Sequence, residues 1–169
     1  MNLKKPKFWD YKKPNIFAYF LYPIAFLIKH LSFLNVKKNK TKFKIKTICV
    51  GNIYVGGTGK TSLSIKINDL LKRNNIKSCF VKKFYKNQFD EHLLINQKFN
   101  SLILNSNRVQ AIKEAEEKGF DVVVLDDGFQ DHSFKKNLNI ICFHSNQSIG
   151  NGLVLPSGPL RENLTSLKK

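Results

Sequence analysis

Residues 48–62 read ICVGNIYVGGTGKTS, and this stretch decides the fold. An apolar run, Ile48, Cys49 and Val50, leads into a glycine-rich turn, and from Lys60 onward apolar residues recur at helical spacing. Phosphate binding requires this order of strand, glycine turn and helix. Glycines allow consecutive backbone N–H groups to point inward, and the following helix N-terminus adds the positive end of its dipole. Lys60 can reach the β- and γ-phosphates of a nucleotide, and the Thr61 hydroxyl is placed to ligate magnesium. The strict pattern G-x-x-x-x-G-K-S/T is not met, because Tyr54 stands where its first glycine belongs; Gly56, Gly57 and Gly59 compensate. The expected cradle is therefore Val55, Gly56, Gly57, Thr58, Gly59, Lys60 and Thr61. A chance glycine-rich turn is the alternative, and the intact Gly-Lys-Thr disfavours it.

Downstream the pattern of strand, loop and helix repeats. Strands are expected at residues 47–50, 77–81, 101–104, 122–125 and 139–143. Helices are expected at 60–73, where Leu63, Ile67, Leu70 and Leu71 form one apolar stripe, and at 108–118, closed by Gly119. The alternation implies an α/β fold, a P-loop NTPase-like parallel sheet with flanking helices. Residues 122–130, VVVLDDGFQ, place Asp126 and Asp127 at the end of a buried strand. Parallel strands deliver their ends to the crevice where ligands bind. A carboxylate there can hold magnesium, directly or through water, opposite the Thr61 hydroxyl. A lone Asp at a strand end is usually just solvated, but a pair downstream of Gly-Lys-Thr is more specific. No Asn-Lys-x-Asp segment of the kind that selects guanine is present, so the expected ligands are ATP and Mg2+.

Ahead of this body lie an apolar arm and a basic linker, residues 1–40, with the nucleotide domain at 41–169. Residues 16–28, IFAYFLYPIAFLI, carry no charge, and LSFL resumes after Lys29 and His30. A spanning helix needs about 20 apolar residues, and this run is shorter. Pro23 is expected to break a helical ladder in its middle. Trp9, Tyr19 and Tyr22 favour a headgroup boundary, and flanking lysines suit anionic lipid. An interfacial or re-entrant membrane arm is the favoured expectation, ahead of a helix pair packed on the protein body and of a full span.

The 169 residues carry a formal charge of +17, nearly all of it lysine. Such a field attracts phosphate-rich partners, but joint enrichment in Lys, Asn, Ile and Phe also suggests coding bias, so charge alone assigns no function. No RNA-binding or helix-turn-helix pattern accompanies it, and a nucleic-acid partner is not expected. Cys49, Cys79 and Cys142 lie in or beside apolar runs without metal spacing and read as reduced core thiols. The N-terminus shows no cleavable signal pattern.

Three segments together resemble one family. Residues 50–61 (VGNIYVGGTGKT), 125–130 (LDDGFQ) and 150–162 (GNGLVLPSGPLRE) are similar to the most characteristic stretches of the tetraacyldisaccharide 4′-kinases, the lipid A 4′-kinases of Gram-negative bacteria. The Trp9 region, apolar arm and basic linker resemble the family's N-terminus too. The resemblance implies a kinase at the cytoplasmic face of the inner membrane. It would transfer the γ-phosphate of ATP to the 4′-hydroxyl of a tetraacyldisaccharide 1-phosphate. Implied partners are that lipid disaccharide and an anionic membrane surface. The family's Gly-Asp-Glu-Pro acid, which deprotonates the sugar hydroxyl, corresponds to Asp90 in FDEHLLI; with Lys60 it completes the expected catalytic pair. The family's Ser-Arg-Gly-Tyr is replaced by Lys82, Lys83, Phe84 and Tyr85, and Gly-Asp-Glu-Pro has lost its Gly and Pro. Family members continue for about another domain beyond the equivalent of Lys169. A separate C-terminal half is therefore an expected partner, and a degenerate nucleotide-binding membrane protein without transfer activity is the alternative function.

Overall fold

The computed structural model describes residues 5–34, 40–83 and 101–168. These fall into two compact units. One comprises 40–51, 59–83 and 101–141, and the other 5–34, 52–58 and 142–168.

The first unit is a five-stranded parallel sheet with helices. Its elements are β1 (Lys46–Gly51), α2 (Lys60–Arg73), β2 (Ser78–Lys83), β3 (Leu102–Asn105), α3 (Arg108–Glu117), β4 (Val122–Asp126) and β5 (Leu138–Ile141). The strand order is β3-β2-β4-β1-β5. Strands buried on both faces need near-continuous apolar runs, which β1 (KTICVG) and β4 (VVVLD) supply. Strand ends differ from the sequence expectation by one or two residues, because pairing rather than hydrophobicity ends a strand. Asp126, for example, stays in the ladder opposite Val50.

Side chains alternate across the sheet. Cys49, Cys79, Val81, Val123 and Leu125 point to one face and form the core with Ala111, Ile112 and Ala115 of α3. Ser78, Phe80 and Lys82, with Val124 and Asp126, take the other, against which α2 packs. Asn107 caps α3 by accepting from the N–H groups of Val109 and Gln110, and Gly119 follows its end at φ +72°.

The apolar stripe of α2 lies at the edge of its buried face: Ile67 and Leu71 are half-buried and Leu63 and Leu70 are 36% and 58% exposed, whereas Ser64 and Asn68 are fully buried. The first turn fits this orientation. Thr61 Oγ1 donates to Asp126 Oδ2 at 3.0 Å, and a helix fixed there turns Thr61, Ser64 and Asn68 toward the sheet.

The second unit begins with a 3-10 turn, Lys7–Asp10, followed by α1, Ile16–Leu34. Pro23 does not break this helix, correcting the sequence expectation. A proline removes one ladder bond at a cost of about 3 kcal/mol, but the turns on either side of it stay within one 19-residue helix. Helix α1 buries Ala18 and Ala25, two turns apart, while Phe17, Phe20 and Leu27 are 64%, 81% and 61% exposed. No helix among the described residues is long and apolar enough to cross a membrane.

The rest of this unit is a woven turn structure. Leu160 bridges both Tyr54 and Val154, and Ile53, Tyr54 and Leu160 are fully buried. Trp9 Nε1 donates to the Pro156 carbonyl at 3.0 Å, and Asn151 N donates to the Trp9 carbonyl at 3.0 Å. Gly150, at φ +58°, lies so close to that carbonyl that a Cβ would collide with it.

Candidate nucleotide site

The C-terminal ends of β1, β2 and β4 and the first turns of α2 and α3 gather four of the expected residues and two more. Asp126 is 3% exposed at the end of β4. Its Oδ2 accepts from Thr61 and lies 3.9 Å from Lys82 Nζ. Its Oδ1 is buried and has no hydrogen-bond partner among the described residues. Burial pushes the Asp126 carboxyl above its ordinary value, and this outweighs the hydrogen bond from Thr61 and the charge of Lys82. A buried carboxylate oxygen without a donor, beside a threonine hydroxyl, is a donor set that suits a hard divalent cation. The residues present therefore fit magnesium.

Asp127 adopts a left-handed backbone conformation, φ +52°, which a non-glycine residue takes only under constraint. Three bonds supply the constraint. Its N–H donates to the Val50 carbonyl at 2.9 Å, and Arg108 Nη2 donates to the carbonyls of Asp127 at 2.8 Å and Asp126 at 3.3 Å. Arg108 Nη1 also faces Asp131 Oδ2 at 3.6 Å. The bend aims the Asp127 carboxylate at Lys60, whose Nζ lies 3.7 Å from its Oδ1.

Lys60 and Thr61 open α2, whose N-terminus has no side-chain cap; Gly59 precedes it at φ +74°. Uncapped N–H groups and the helix dipole make such an end an anion site. Close packing supports the strand ends from below. A Cβ on Gly51 would stand 2.5 Å from the Phe129 Cβ, and one on Gly128 would stand 3.1 Å from Cys49 Sγ.

The structure thus brings together Lys60, Thr61, Asp126 and Asp127. Val55, Gly56, Gly57 and Thr58 belong to the other unit; there Gly56 has φ +137°, and a Cβ on Gly57 would meet nothing within 4 Å. Asp90 lies outside the described residues. Sequence reasoning missed Lys82 and Arg108 as members of the site. Strand alternation carries a signal for Lys82, because Ser78, Phe80 and Lys82 share a face and β2 pairs with β4 in register Val81 to Leu125. The signal for Arg108 is compositional: it is one of three arginines in a lysine-rich chain, placed where a planar fork spans two carbonyls.

The chain also matches known proteins. A family model described as tetraacyldisaccharide-1-P 4′-kinase (LpxK) covers residues 17–169. The chain belongs to this family. A tetraacyldisaccharide 4′-kinase of Pelagibacter ubique is 54% identical over 99% of this chain and 53% of its own length. A Rickettsia canadensis relative of the same name is 33% identical over 96% of this chain and 54% of its own. The solved structure of LpxK from Aquifex aeolicus, in complex with ATP, superposes with a TM-score of 0.74 at 26% identity, covering 90% of this chain and 56% of that one. The chain spans about half the length of the curated relatives it matches.

Proposed function

We propose that this chain is the nucleotide-binding part of an ATP-dependent lipid kinase, transferring the γ-phosphate of ATP to the 4′-hydroxyl of a tetraacyldisaccharide 1-phosphate in lipid A biosynthesis. One observation carries the reading: the buried Asp126, with one oxygen on Thr61 and the other without a donor, beside the uncapped helix end that Lys60 begins. Family membership and the ATP complex of the Aquifex relative support it.

In this proposal the loop from Val55 to Thr61 cradles the phosphates, Lys60 holds the transferred group, and Thr61, Asp126 and Asp127 hold magnesium directly or through water. Magnesium, when bound, neutralises charge developing on the phosphoryl group. Lys60 and Lys82 neutralise Asp127 and Asp126 before nucleotide arrives, which limits the cost of burying two carboxylates side by side. Asp90 takes the proton of the 4′-hydroxyl as that oxygen bonds to the γ-phosphorus, while the bond to the β–γ bridging oxygen breaks and ADP leaves. Its role is chiefly to orient the acceptor.

Residues 1–40 serve as arm and linker and 41–169 as the nucleotide segment. The exposed apolar face of α1, with the surrounding lysines, engages an anionic membrane at the cytoplasmic face of the inner membrane. Acceptor-side groups come from the half of the relatives' length that this sequence does not match, on the same polypeptide or on another.

Titration calorimetry with Mg-ATP tests the reading. Lys60→Ala should weaken binding sharply with the fold retained, and equal affinity in the two proteins would refute it. Phosphate incorporation into the lipid precursor should be poor for these 169 residues alone, should rise when the matching C-terminal half is supplied, and should lose that gain in Asp90→Ala.

A further inference from the structure

Tyr54 takes the place of the phosphate loop's first glycine, and its side chain is tied down at its far end. The ring is fully buried. Its hydroxyl donates to Asp10 Oδ1 and accepts from Lys5 Nζ at 2.9 Å. Lys5 also binds Asp10 at 2.7 Å, and its ammonium lies 5.3 Å from the Tyr54 ring centroid. Burial alone would lift the Asp10 carboxyl, but hydrogen bonds from Lys5 and Tyr54 outweigh it and hold Asp10 below its ordinary value.

Backbone bonds around Tyr54 add to this tether. Val55 N donates to the Pro159 carbonyl at 2.9 Å, Arg161 N to the Ile53 carbonyl at 2.6 Å, and Asn52 Nδ2 to the carbonyls of Tyr54 and Gly56. Asn151 and Pro156 hold Trp9, one residue before Asp10. The segment GNGLVLPSGPLRE therefore grips both the phosphate loop and the turn that carries Asp10.

We propose that Lys5 and Asp10 are positioning residues for the phosphate loop: by fixing the Tyr54 hydroxyl they hold residues 52–58 in one conformation, so that nucleotide affinity depends on the N-terminal turn. The inference rests on the nucleotide reading above. A loop with Gly56, Gly57 and Gly59 has many accessible conformations. Apparent affinity falls in proportion to the fraction of molecules whose loop is competent to bind. A tether that acts through a side chain restores the order that the glycines give away.

The test measures Mg-ATP affinity by calorimetry for wild type, Lys60→Ala, Tyr54→Phe, Asp10→Ala, the Tyr54→Phe/Asp10→Ala double variant, Lys5→Met and Lys5→Arg, with a thermal melt of each. Tyr54→Phe keeps the buried ring and deletes only the hydroxyl. It and Asp10→Ala should each weaken binding by about threefold to tenfold. The double variant should be no weaker than the poorer single one, because all three side chains act as one unit. Lys5→Met should lose affinity and Lys5→Arg should recover most of it. Wild-type affinity in Tyr54→Phe and Asp10→Ala, alongside loss in Lys60→Ala, overturns the positioning role and leaves the nucleotide reading intact. Additive effects, or affinity losses that track losses in melting temperature, overturn it in favour of general structural support. No binding by the wild-type protein overturns both readings.

Discussion

Replacing Arg108 by methionine keeps the side chain's apolar stem but removes the fork that shapes the acidic loop. The side chain is 9% exposed, so water does not take over its bonds. The 2.8 Å bond to the Asp127 carbonyl is charge-assisted, worth about 1.5–3 kcal/mol; the 3.3 Å bond to Asp126 adds less. Asp131 also loses a partner at 3.6 Å, but it accepts from Ser133 and keeps most of its support. The expected destabilisation is about 2–4 kcal/mol. Against a urea slope of about 2 kcal/mol per molar, the unfolding midpoint should fall by about 1–2 M. A second effect follows at the site. The left-handed Asp127 carries about 1–3 kcal/mol of backbone strain, and without Arg108 it relaxes and swings its carboxylate away from Lys60. Mg-ATP affinity should drop by about tenfold. Arg108→Lys should restore little, because an ammonium cannot span two carbonyls and a carboxylate. Urea unfolding followed by circular dichroism, with calorimetry on the same proteins, checks both effects. A midpoint for Arg108→Met within about 0.3 M of wild type would refute the argument that the guanidinium sets this loop.

Three further outcomes are expected. Gly51→Ala should cost about 1–3 kcal/mol in urea unfolding, since its Cβ would press on Phe129; an unchanged midpoint would show that the packing there is loose. Burial works against the Asp131 carboxylate, but hydrogen bonds from Ser133 and the charge of Arg108 outweigh it and hold Asp131 below its ordinary 3.8. Its contribution is therefore fully present above that value and lost as pH falls through the lower folded one, so the stability gap between wild type and Asp131→Asn should close across that acid window. A pH-independent gap would contradict this. Exchanging Phe17, Phe20 and Leu27 for serine should release the protein from anionic vesicles in co-sedimentation; undiminished binding would remove α1 from the membrane reading.

The sequence by itself determined the α/β class, the place of the glycine-rich turn and the acidic strand end. Each is written locally: Gly-Lys-Thr after an apolar strand, Asp126 and Asp127 after a valine run, Gly119 at the end of α3. Local signals of this kind act within one or two turns of chain, so they can be read without knowing what lies opposite. Three features were decided only by tertiary structure. The periodicity of α2 marks an apolar stripe but not which side meets the sheet: Ser64 and Asn68 are buried while Leu63 and Leu70 are exposed, with Thr61 bonded to Asp126. Arg108 and Lys82 join the acidic pair because parallel register brings β2 and the start of α3 to the end of β4. Tyr54 meets Lys5 and Asp10 across more than forty residues of sequence. Such contacts depend on which faces and strand ends the fold places together, a non-local outcome that no window of sequence contains.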